Sequence, residues 1–299
     1  MKLLITGATG FLGWRCATLL AERGHEIVAV ARPGGASRAT AEGLAAHRID
    51  AGDPRIRDLV AGCDAVLHFA GVPDPGHAAA DPARAVRENA GTTLNLLEAC
   101  REHGAGLLYP STVRAGIEPP PDAYALSKRL GEVACEHHPG PATVVRLTSV
   151  FGPGQVAWEG ATGAIAGFAA RALEGSPIVI PGDPRRGRDF LYADDLVPAL
   201  EGLALERRWD ELLTLGSGVT TPLLEAAELV RETARSPVPI ETPGGELPPG
   251  ENESYCADPT GAPSLHFRVR ALQEGVRSYV EWLLGHPAAQ SRARARPAR

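Results

Sequence analysis

The chain has 299 residues, a length that suits one α/β unit with a smaller appended lobe. Hydrophobic residues make up 44% and charged residues 22%, which is ordinary usage for a globular protein. The formal net charge of −6 disfavours nucleic acid and anionic membranes as partners, and no apolar run approaches the ~18 residues needed to span a bilayer.

The five cysteines are scattered, odd in number and form no C-x-x-C pair. This usage is typical of reduced thiols in a cytoplasmic protein, and it predicts no metal site. The first apolar run is too short and too glycine-rich for a signal peptide, and it favours a first β-strand instead.

The first half of the chain alternates short apolar runs with amphipathic segments, a pattern that predicts βαβ units and a parallel sheet. The predicted strands are Lys2–Thr6, Glu26–Ala31, Ala65–Phe69, Gly106–Tyr109 and Thr143–Leu147. The predicted helices between them are Phe11–Arg23, Asp81–Glu102 and Tyr124–Glu136. Residues 1–150 are therefore expected to form one domain.

The pattern loosens after Val150, where glycine and proline interrupt the chain more often. Helical patterns recur at Ala161–Leu173, Asp194–Leu205, Pro222–Ala234 and Ala271–Leu284. Residues 151–285 are expected to form mainly a smaller lobe, while later segments such as 189–218 return to the first domain. The basic tail 286–299, rich in alanine and proline, is expected to be disordered.

Glycines follow the first predicted strand directly, at Gly7, Gly10 and Gly13 in the segment GATGFLG. Glycine at such positions permits a tight turn, close approach of the backbone to a pyrophosphate, and close packing of helix on strand. The helix beginning near Phe11 would point its N–H groups and positive dipole end at the phosphates. A glycine-rich turn without a ligand can share this motif, but its place between strand and helix favours dinucleotide binding.

The second predicted strand ends in Val30-Ala31-Arg32-Pro33, without an acidic residue. An acid about 20 residues beyond the glycines binds the ribose 2′-hydroxyl of NAD, whereas an arginine suits the 2′-phosphate of NADP. Arg32 therefore favours NADP(H), with NAD(H) possible, although Arg32 can also be an ordinary surface-loop residue.

Two further segments could contact the cofactor. Asp50 could accept a hydrogen bond from adenine, but an aspartate before Gly52 is also typical of a turn. At the end of the fourth strand, the small residues Ala70 and Gly71 would let the backbone approach the cofactor. The neighbouring His68 is expected to be a hydrogen-bonded strand-end histidine.

Tyr124 and Lys128 form a Y-x-x-x-K pair, which a helix would place on one face, a turn apart. A free tyrosine has a pKa of about 10, and a neighbouring ammonium would lower it by favouring the phenolate. A hydroxyl from Ser111 or Thr112, at the end of the preceding strand, could hold the substrate oxygen beside Tyr124. The order of these elements predicts general acid–base catalysis coupled to hydride transfer.

Taken together, these features resemble the extended short-chain dehydrogenases/reductases of the NAD-dependent epimerase/dehydratase family. The resemblance extends to about Leu284 and includes GATGFLG, HFAG, ENAGTTLNLLEAC, YALSK, RLTSVFGPGQ, RRGRDFLYADDLV, LGSG and ALQEGVRSYVEWL. It implies a doubly wound Rossmann parallel sheet with a smaller C-terminal α/β substrate lobe, and often a helix-packed homodimer.

The resemblance also implies roles for individual residues. Tyr124 would be the acid/base and Lys128 its partner, with Thr112 as the best match for the hydroxyl and Ser111 as the alternative. Arg188 would grip the diphosphate of a nucleotide-linked sugar, a task that suits a planar guanidinium, although an exposed ion pair is the alternative. The substrate-binding set is Thr112, Ser149 and Arg188. The cofactor-binding set comprises Gly7, Thr9, Gly10, Phe11, Leu12, Gly13, Arg32, Asp50, Ala51, Phe69, Ala70, Gly71, Asn89, Tyr124 and Lys128, of which Asn89 matches a residue that organises the site.

The chain departs from the family pattern at several positions. The 4,6-dehydratases of the family carry an Asp-Glu pair after the threonine, where this chain has Val113 and Arg114, so water elimination is disfavoured. Ser149 stands where asparagine is usual, which weakens the match to a standard sugar-nucleotide pocket.

These departures and Arg32 favour a 4-ketoreductase that transfers hydride from NADPH to a nucleotide-linked deoxysugar. The alternatives are a nucleotide-sugar C4 epimerase with tightly bound NAD, a reductase of non-sugar ketones or aldehydes, and a non-catalytic NADP-binding sensor.

Overall fold

A computed structural model of the chain describes residues 1–34, 45–247, 251, 254–258 and 267–294. The chain divides into two compact units. The first comprises Met1–Leu147, Leu196–Leu215 and Asp258–Phe267, and the second comprises Thr148–Asp195, Gly216–Ala257 and Arg268–Arg299. The segment 189–218 is divided between them: residues 196–215 belong to the first unit and the rest to the second.

The strands and helices, in chain order, are as follows. The strands are β1 (Lys2–Thr6), β2 (Glu26–Ala31), β3 (Ala46–Arg48), β4 (Ala65–His68), β5 (Gly106–Thr112), β6 (Ala142–Leu147), β7 (Ser149–Phe151), β8 (Ile178–Pro181), β9 (Gly187–Tyr192), β10 (Leu212–Leu215), β11 (Thr220–Pro222) and β12 (Ile240–Gly244). The helices are α1 (Phe11–Glu22), α2 (Ile56–Val60), α3 (Pro75–Ala80), α4 (Pro82–Val86), α5 (Thr92–His103), α6 (Ala123–His137), α7 (Ala164–Glu174), α8 (Ala193–Leu205), α9 (Leu223–Thr233), α10 (Leu272–Gly285) and α11 (Pro287–Arg294). A π-helical turn, Arg87–Gly91, joins α4 to α5, and 3-10 turns cover Val113–Gly116 and Ala157–Glu159.

The first unit is built on a seven-stranded sheet in the order β10-β6-β5-β4-β1-β2-β3. All of its strand pairs are parallel, and the order 3-2-1-4-5-6 within it is that of the Rossmann fold. Strands β4 and β5 are buried along their whole length, as expected when helices cover both faces of a parallel sheet. The predicted fold class is confirmed.

Helix α6 positions two of the predicted catalytic residues. It begins after Asp122, whose side chain accepts a hydrogen bond from the backbone N–H of Ala125, the preferred chemistry of a helix N-cap. Its buried side includes Lys128 and Glu132 along with small apolar residues. Charged side chains are rarely buried without a partner. The buried Lys128 and Glu132 therefore indicate that α6 has a role beyond packing on the sheet.

The second unit has a three-stranded sheet, β11-β9-β7, and a parallel pair, β12-β8. Its core contains a cluster of aromatic residues in which Phe151 contacts Phe190, Tyr192 and Tyr279 edge to face. The tail expected to be disordered begins instead with α11, and residues 295–299 lie outside the described residues. Among the described residues, no helix has the length and apolarity needed to cross a bilayer.

Candidate active site

The glycine loop between β1 and α1 is packed too closely for larger residues. Gly7 has φ +66°, and a Cβ built on it would lie 2.8 Å from the backbone of Phe69 and Ala70. A Cβ on Gly13 would lie 2.3 Å from the carbonyl oxygen of Gly7. The loop is therefore pressed between the first turn of α1 and the segment after β4, as the glycine spacing predicts.

The N-terminus of α1 has the features of a phosphate site. Its N-cap is the exposed Gly10, and none of the described side chains caps it. The backbone N–H groups of Phe11, Leu12 and Gly13 are in the first turn, where an α-helix offers no internal acceptor. Thr9 is half-buried beside them. These residues fit a dinucleotide pyrophosphate, because free backbone N–H groups at a helix N-terminus can approach the phosphates closely where no side chain intervenes.

The residues predicted to hold the adenosine part of the cofactor differ in their surroundings. Arg32 is exposed directly after β2, where it can reach a ligand. Asp50 accepts a hydrogen bond from the backbone N–H of Gly52 at 2.8 Å, so the alternative role as a turn residue is observed. Ala51 is buried, and its carbonyl accepts from the Asn95 amide at 3.1 Å.

The end of β4 is fixed to β1 by a buried histidine. His68 Nδ1 lies 2.8 Å from Thr6 Oγ1, and its Nε2 lies 3.3 Å from Thr92 Oγ1. Burial lowers the pKa of His68 to about 3, and the charge of Lys128 acts in the same direction. His68 is thus a neutral, hydrogen-bonded histidine, as expected. Thr6 Oγ1 also accepts from the N–H of Ala70 at 3.1 Å, which fixes the loop that packs on Gly7.

Asn89 organises this edge of the site from the π-helical turn. Its Oδ1 accepts from the Val72 N–H at 2.8 Å, and its Nδ2 donates to Ser127 Oγ at 2.7 Å. Gly71, at φ +145°, leaves room for this amide, because a Cβ there would lie 2.2 Å from Asn89 Oδ1. Since Ser127 lies between Tyr124 and Lys128, Asn89 ties the loop after β4 to the part of α6 that carries these two residues.

Lys128 is buried against the end of β5. Its Nζ donates to the Pro110 carbonyl at 2.9 Å and lies 4.8 Å from the centre of the Tyr109 ring. Burial lowers the pKa of Lys128 to about 8, and the charge of Glu132 acts in the opposite direction. The ammonium therefore stays mostly protonated at neutral pH, held beside the strand that carries Ser111 and Thr112.

Tyr124 does not behave as its spacing from Lys128 suggests. Its pKa is raised above 10, first by burial and then by the charge of Asp74, while Arg114 acts in the opposite direction. We expected Lys128 to lower this pKa. In the structure the ammonium donates to the Pro110 carbonyl instead. Because burial raises the pKa of Tyr124, the phenol rests protonated at neutral pH.

Ser111 and Thr112, adjacent on a strand, point to opposite faces. Ser111 Oγ donates to Glu132 Oε1 at 2.6 Å, so its hydroxyl is committed to a buried ion network. Thr112 Oγ1 accepts from the Arg114 N–H at 3.3 Å and retains its own proton to donate. This geometry favours Thr112 over Ser111 as the hydroxyl that faces a substrate.

The two remaining predicted substrate residues lie in the second unit. Ser149 is half-buried in β7, beside Phe190 of β9. Arg188 of β9 is buried, donates to the Glu251 carbonyl at 2.8 Å, and lies 3.6 Å from its carboxylate. Its guanidinium also covers the ring of Tyr255 at 5.1 Å, which fixes the plane of the group.

Comparison with known proteins decides the family. Residues 3–208 match the model of the NAD dependent epimerase/dehydratase family. The chain belongs to this family. The resemblance drawn from its motifs is thereby confirmed.

Relatives within the NAD dependent epimerase/dehydratase family carry several activities. UDP-glucuronic acid decarboxylase 1 of Arabidopsis thaliana is 25% identical over 268 residues, which are 81% of this chain and 60% of that protein. The dTDP-glucose 4,6-dehydratase of Streptomyces griseus is 29% identical over 263 residues, 78% of each chain. The chain thus spans about three fifths of the length of its Arabidopsis relatives.

Solved structures of epimerases have the same fold. The UDP-glucose 4-epimerase of Thermotoga maritima, solved with UDP-glucose, has a TM-score of 0.86 at 24% identity and covers 95% of this chain and 99% of its own. The UDP-glucose 4-epimerase of Thermus thermophilus, solved with NAD, has a TM-score of 0.82 at 25% identity and covers 94% and 98%.

Three charged residues beside the predicted catalytic groups were not predicted from the sequence. Glu132 is 2% exposed and accepts hydrogen bonds from Ser111 and from the Arg146 guanidinium. Arg114 and Asp122 form an ion pair beside Tyr124. Glu132 lies one turn beyond Lys128 and Asp122 holds an N-cap position, so helical spacing could have identified both. The inward direction of Arg114 has no comparable signal in the sequence.

Proposed function

We propose that the chain is an NAD-dependent nucleotide-sugar C4 epimerase, which oxidises the sugar C4 hydroxyl and then returns hydride to the opposite face of the ketone. The proposal is carried by one arrangement in the first unit. One parallel sheet and its covering helices carry all three parts: the glycine loop after β1, the Thr112 hydroxyl of β5, and the Tyr124–Lys128 pair of α6. The epimerases with the same fold, one solved with UDP-glucose and one with NAD, support this choice over the 4-ketoreductase that we expected.

Bound NAD would supply the acceptance and return of hydride. The chain's own groups would do the rest: the first turn of α1 would bind the pyrophosphate, and Lys128 would bind the nicotinamide ribose. Thr112 donates a hydrogen bond to the reacting oxygen. Tyr124, once ionised to the phenolate, would accept the hydroxyl proton during oxidation, and as the phenol it would give the proton back during reduction.

Water elimination fits the chain less well than epimerisation. Water elimination needs a second acid/base beside the ketone, and the two positions after Thr112 hold an apolar Val113 and an arginine that cannot be deprotonated. Epimerisation needs only one proton carrier, which Tyr124 supplies.

Arg188 is proposed to bind the diphosphate of the substrate, with Ser149 on the neighbouring strand as a second contact. The stacking of the guanidinium on Tyr255 holds the fork that a diphosphate needs. Arg188→Ala is expected to raise the KM for a UDP-sugar and to leave NAD binding unchanged.

The second candidate is the NADPH-dependent 4-ketoreductase, and Arg32 favours it. This arginine is exposed at the end of β2, where the ribose of the adenosine would lie in a Rossmann site, and a 2′-phosphate is its natural partner. Reduction of non-sugar ketones uses the same groups, whereas a sensor would have no need of the Tyr124–Lys128 pair.

A homodimer is also proposed, through α5 and α6. Four large apolar side chains are exposed on these helices: Leu94, Leu126, Leu130 and Val133, at 49, 44, 39 and 37% of their surface. The three on α6 have the i, i+4, i+7 spacing of one helix face, and such a stripe on a monomer typically marks an interface. A second copy would cover it with the same stripe.

One set of measurements tests the assignment. The nucleotide released from the denatured protein is identified by chromatography, and wild type is assayed for interconversion of UDP-glucose and UDP-galactose and of the corresponding N-acetyl sugars and uronic acids. We expect NAD and epimerisation. Tyr124→Phe is expected to lower turnover by about 100- to 10,000-fold with unchanged NAD affinity.

Two results would contradict the proposal. Consumption of NADPH with a dTDP-4-keto-6-deoxyhexose, without epimerisation, would replace the epimerase by the ketoreductase. Full activity of Tyr124→Phe would reject acid–base catalysis by this residue in either reaction.

A further inference from the structure

The turn after β5 and the first residue before α6 are joined by a buried ion pair. Arg114 Nη2 donates to Asp122 Oδ2, and the two side chains keep only 10 and 16% of their surface exposed. Arg114 belongs to the 3-10 turn Val113–Gly116, which follows β5 without a break. An ion pair this well buried is costly to separate, because the remaining charge would lack a partner.

Each member of the pair is attached to a group of the proposed active site. The backbone N–H of Arg114 donates to Thr112 Oγ1 at 3.3 Å. Asp122 lies two residues before Tyr124 and uses its other oxygen to cap α6, accepting from the Ala125 N–H at 2.8 Å. One carboxylate thus fixes both the start of the helix and the turn that holds the hydroxyl.

We propose that this ion pair, the Arg114–Asp122 clamp, sets the position of the Thr112 hydroxyl relative to the Tyr124 phenol, so that Arg114 is a positioning residue for the proton-transfer step. The inference rests on the proposed function, since it concerns the same two reacting groups. It also assigns a role to Arg114, which stands where the dehydratases of the family carry an acidic residue.

The charges around the phenol supply independent support. Asp74 of the loop before α3, Asp122 before α6 and Arg114 all act on Tyr124: the two carboxylates raise its pKa and the guanidinium lowers it. Asp74 is itself paired with His77. The clamp therefore places opposite charges near the acid/base group, and removing the guanidinium or the carboxylate must move the pKa of Tyr124 in opposite directions.

The test compares Arg114→Gln, Asp122→Asn and the double variant with wild type. Asparagine caps helices as well as aspartate, so Asp122→Asn removes the charge and keeps the cap. Arg114→Lys retains the charge as a conservative rescue. Arg208→Gln breaks another arginine–carboxylate pair of the first unit, with Glu211, and serves as the matched control. Two quantities are measured: the pH dependence of kcat/KM with the UDP-sugar that wild type epimerises, and urea unfolding.

Arg114→Gln is expected to lower kcat by about tenfold or more and to move the ascending limb of the kcat/KM profile, which follows ionisation of Tyr124 to the phenolate that accepts the hydroxyl proton, upward by about one pH unit, the lower end of what an adjacent charge gives. Asp122→Asn should move the limb downward, the double variant should return it toward wild type, and Arg114→Lys should keep it in place. Arg208→Gln should leave it unchanged.

Loss of activity in both variants without opposite displacements would overturn the inference, because a purely structural pair would produce that result. If wild type epimerises no UDP-sugar, the proposed function fails separately, and the unfolding data decide on the clamp. A coupling below about twofold in the folding equilibrium overturns it, because a clamp must couple the two side chains, whereas a coupling of about tenfold, or about 1.4 kcal/mol, shows that the pair holds the turn to the start of α6.

Discussion

We expect the ammonium of Lys128 to titrate near pH 8 in the folded protein. It is 8% exposed and lies between the Tyr109 ring and the Pro110 carbonyl, and burial lowers its pKa from 10.5 to about 8. At about 1.36 kcal/mol per pH unit, this difference corresponds to about 3 kcal/mol of folding free energy. Because the unfolded chain binds the proton more tightly, the cost is fully present below pH 8 and disappears as the pH rises toward 10.5.

The titration can be followed directly, because the chain contains two lysines, Lys2 and Lys128. Protein labelled with ¹³C at the lysine Cε gives two NMR signals, which a Lys2→Arg variant assigns. Lys2 is the internal reference, since its ion pair with Glu26 raises its pKa above 10.5. If both signals titrate together above pH 10, the argument from burial is wrong.

By the same reasoning, removing the buried charge of Lys128 should stabilise the protein while abolishing its activity. Lys128→Met should increase the free energy of unfolding at pH 7 by up to about 3 kcal/mol and abolish turnover, with the gain shrinking as the pH approaches 10. Lys2→Met is the control and should show no such dependence in urea titrations. A gain that does not change between pH 7 and 10 would contradict the assigned cause.

Three further predictions concern packing and the proposed interface. Gly13→Ala should lose NAD affinity by calorimetry and about 1–3 kcal/mol of stability, because its Cβ meets backbone atoms at 2.3 and 2.7 Å; Gly167→Ala, with no atom within 4 Å, should be neutral or gain up to about 1 kcal/mol. Gly131→Ala should destabilise the protein by about 1–3 kcal/mol in urea, since its Cβ would lie 2.3 Å from the Tyr109 hydroxyl. Leu130→Arg should convert the proposed dimer to a monomer in sedimentation experiments, and an unchanged mass would place the interface elsewhere.

The elements that the sequence predicted well are those whose causes are local. Strands β1 and β2 were predicted to the residue, and the glycine loop follows from three positions that each meet backbone. Strand β5 was predicted to end at Tyr109, before Pro110, but it continues to Thr112. Proline is tolerated there because β4 pairs with β5 only as far as Leu108, so that side of the strand needs no N–H from Pro110.

The electrostatics of the site could not be predicted in the same way, because they depend on groups far apart in the sequence. The spacing of Tyr124 and Lys128 identified the pair, yet the sign of the change in the tyrosine pKa depends on burial and on Asp74, at the start of another helix. A phenol that rests protonated is ready to give a proton to a ketone but must be activated to accept one from a hydroxyl. The oxidising step is therefore the one that depends on nearby positive charge, and the charge of Arg114 acts on the phenol in that direction.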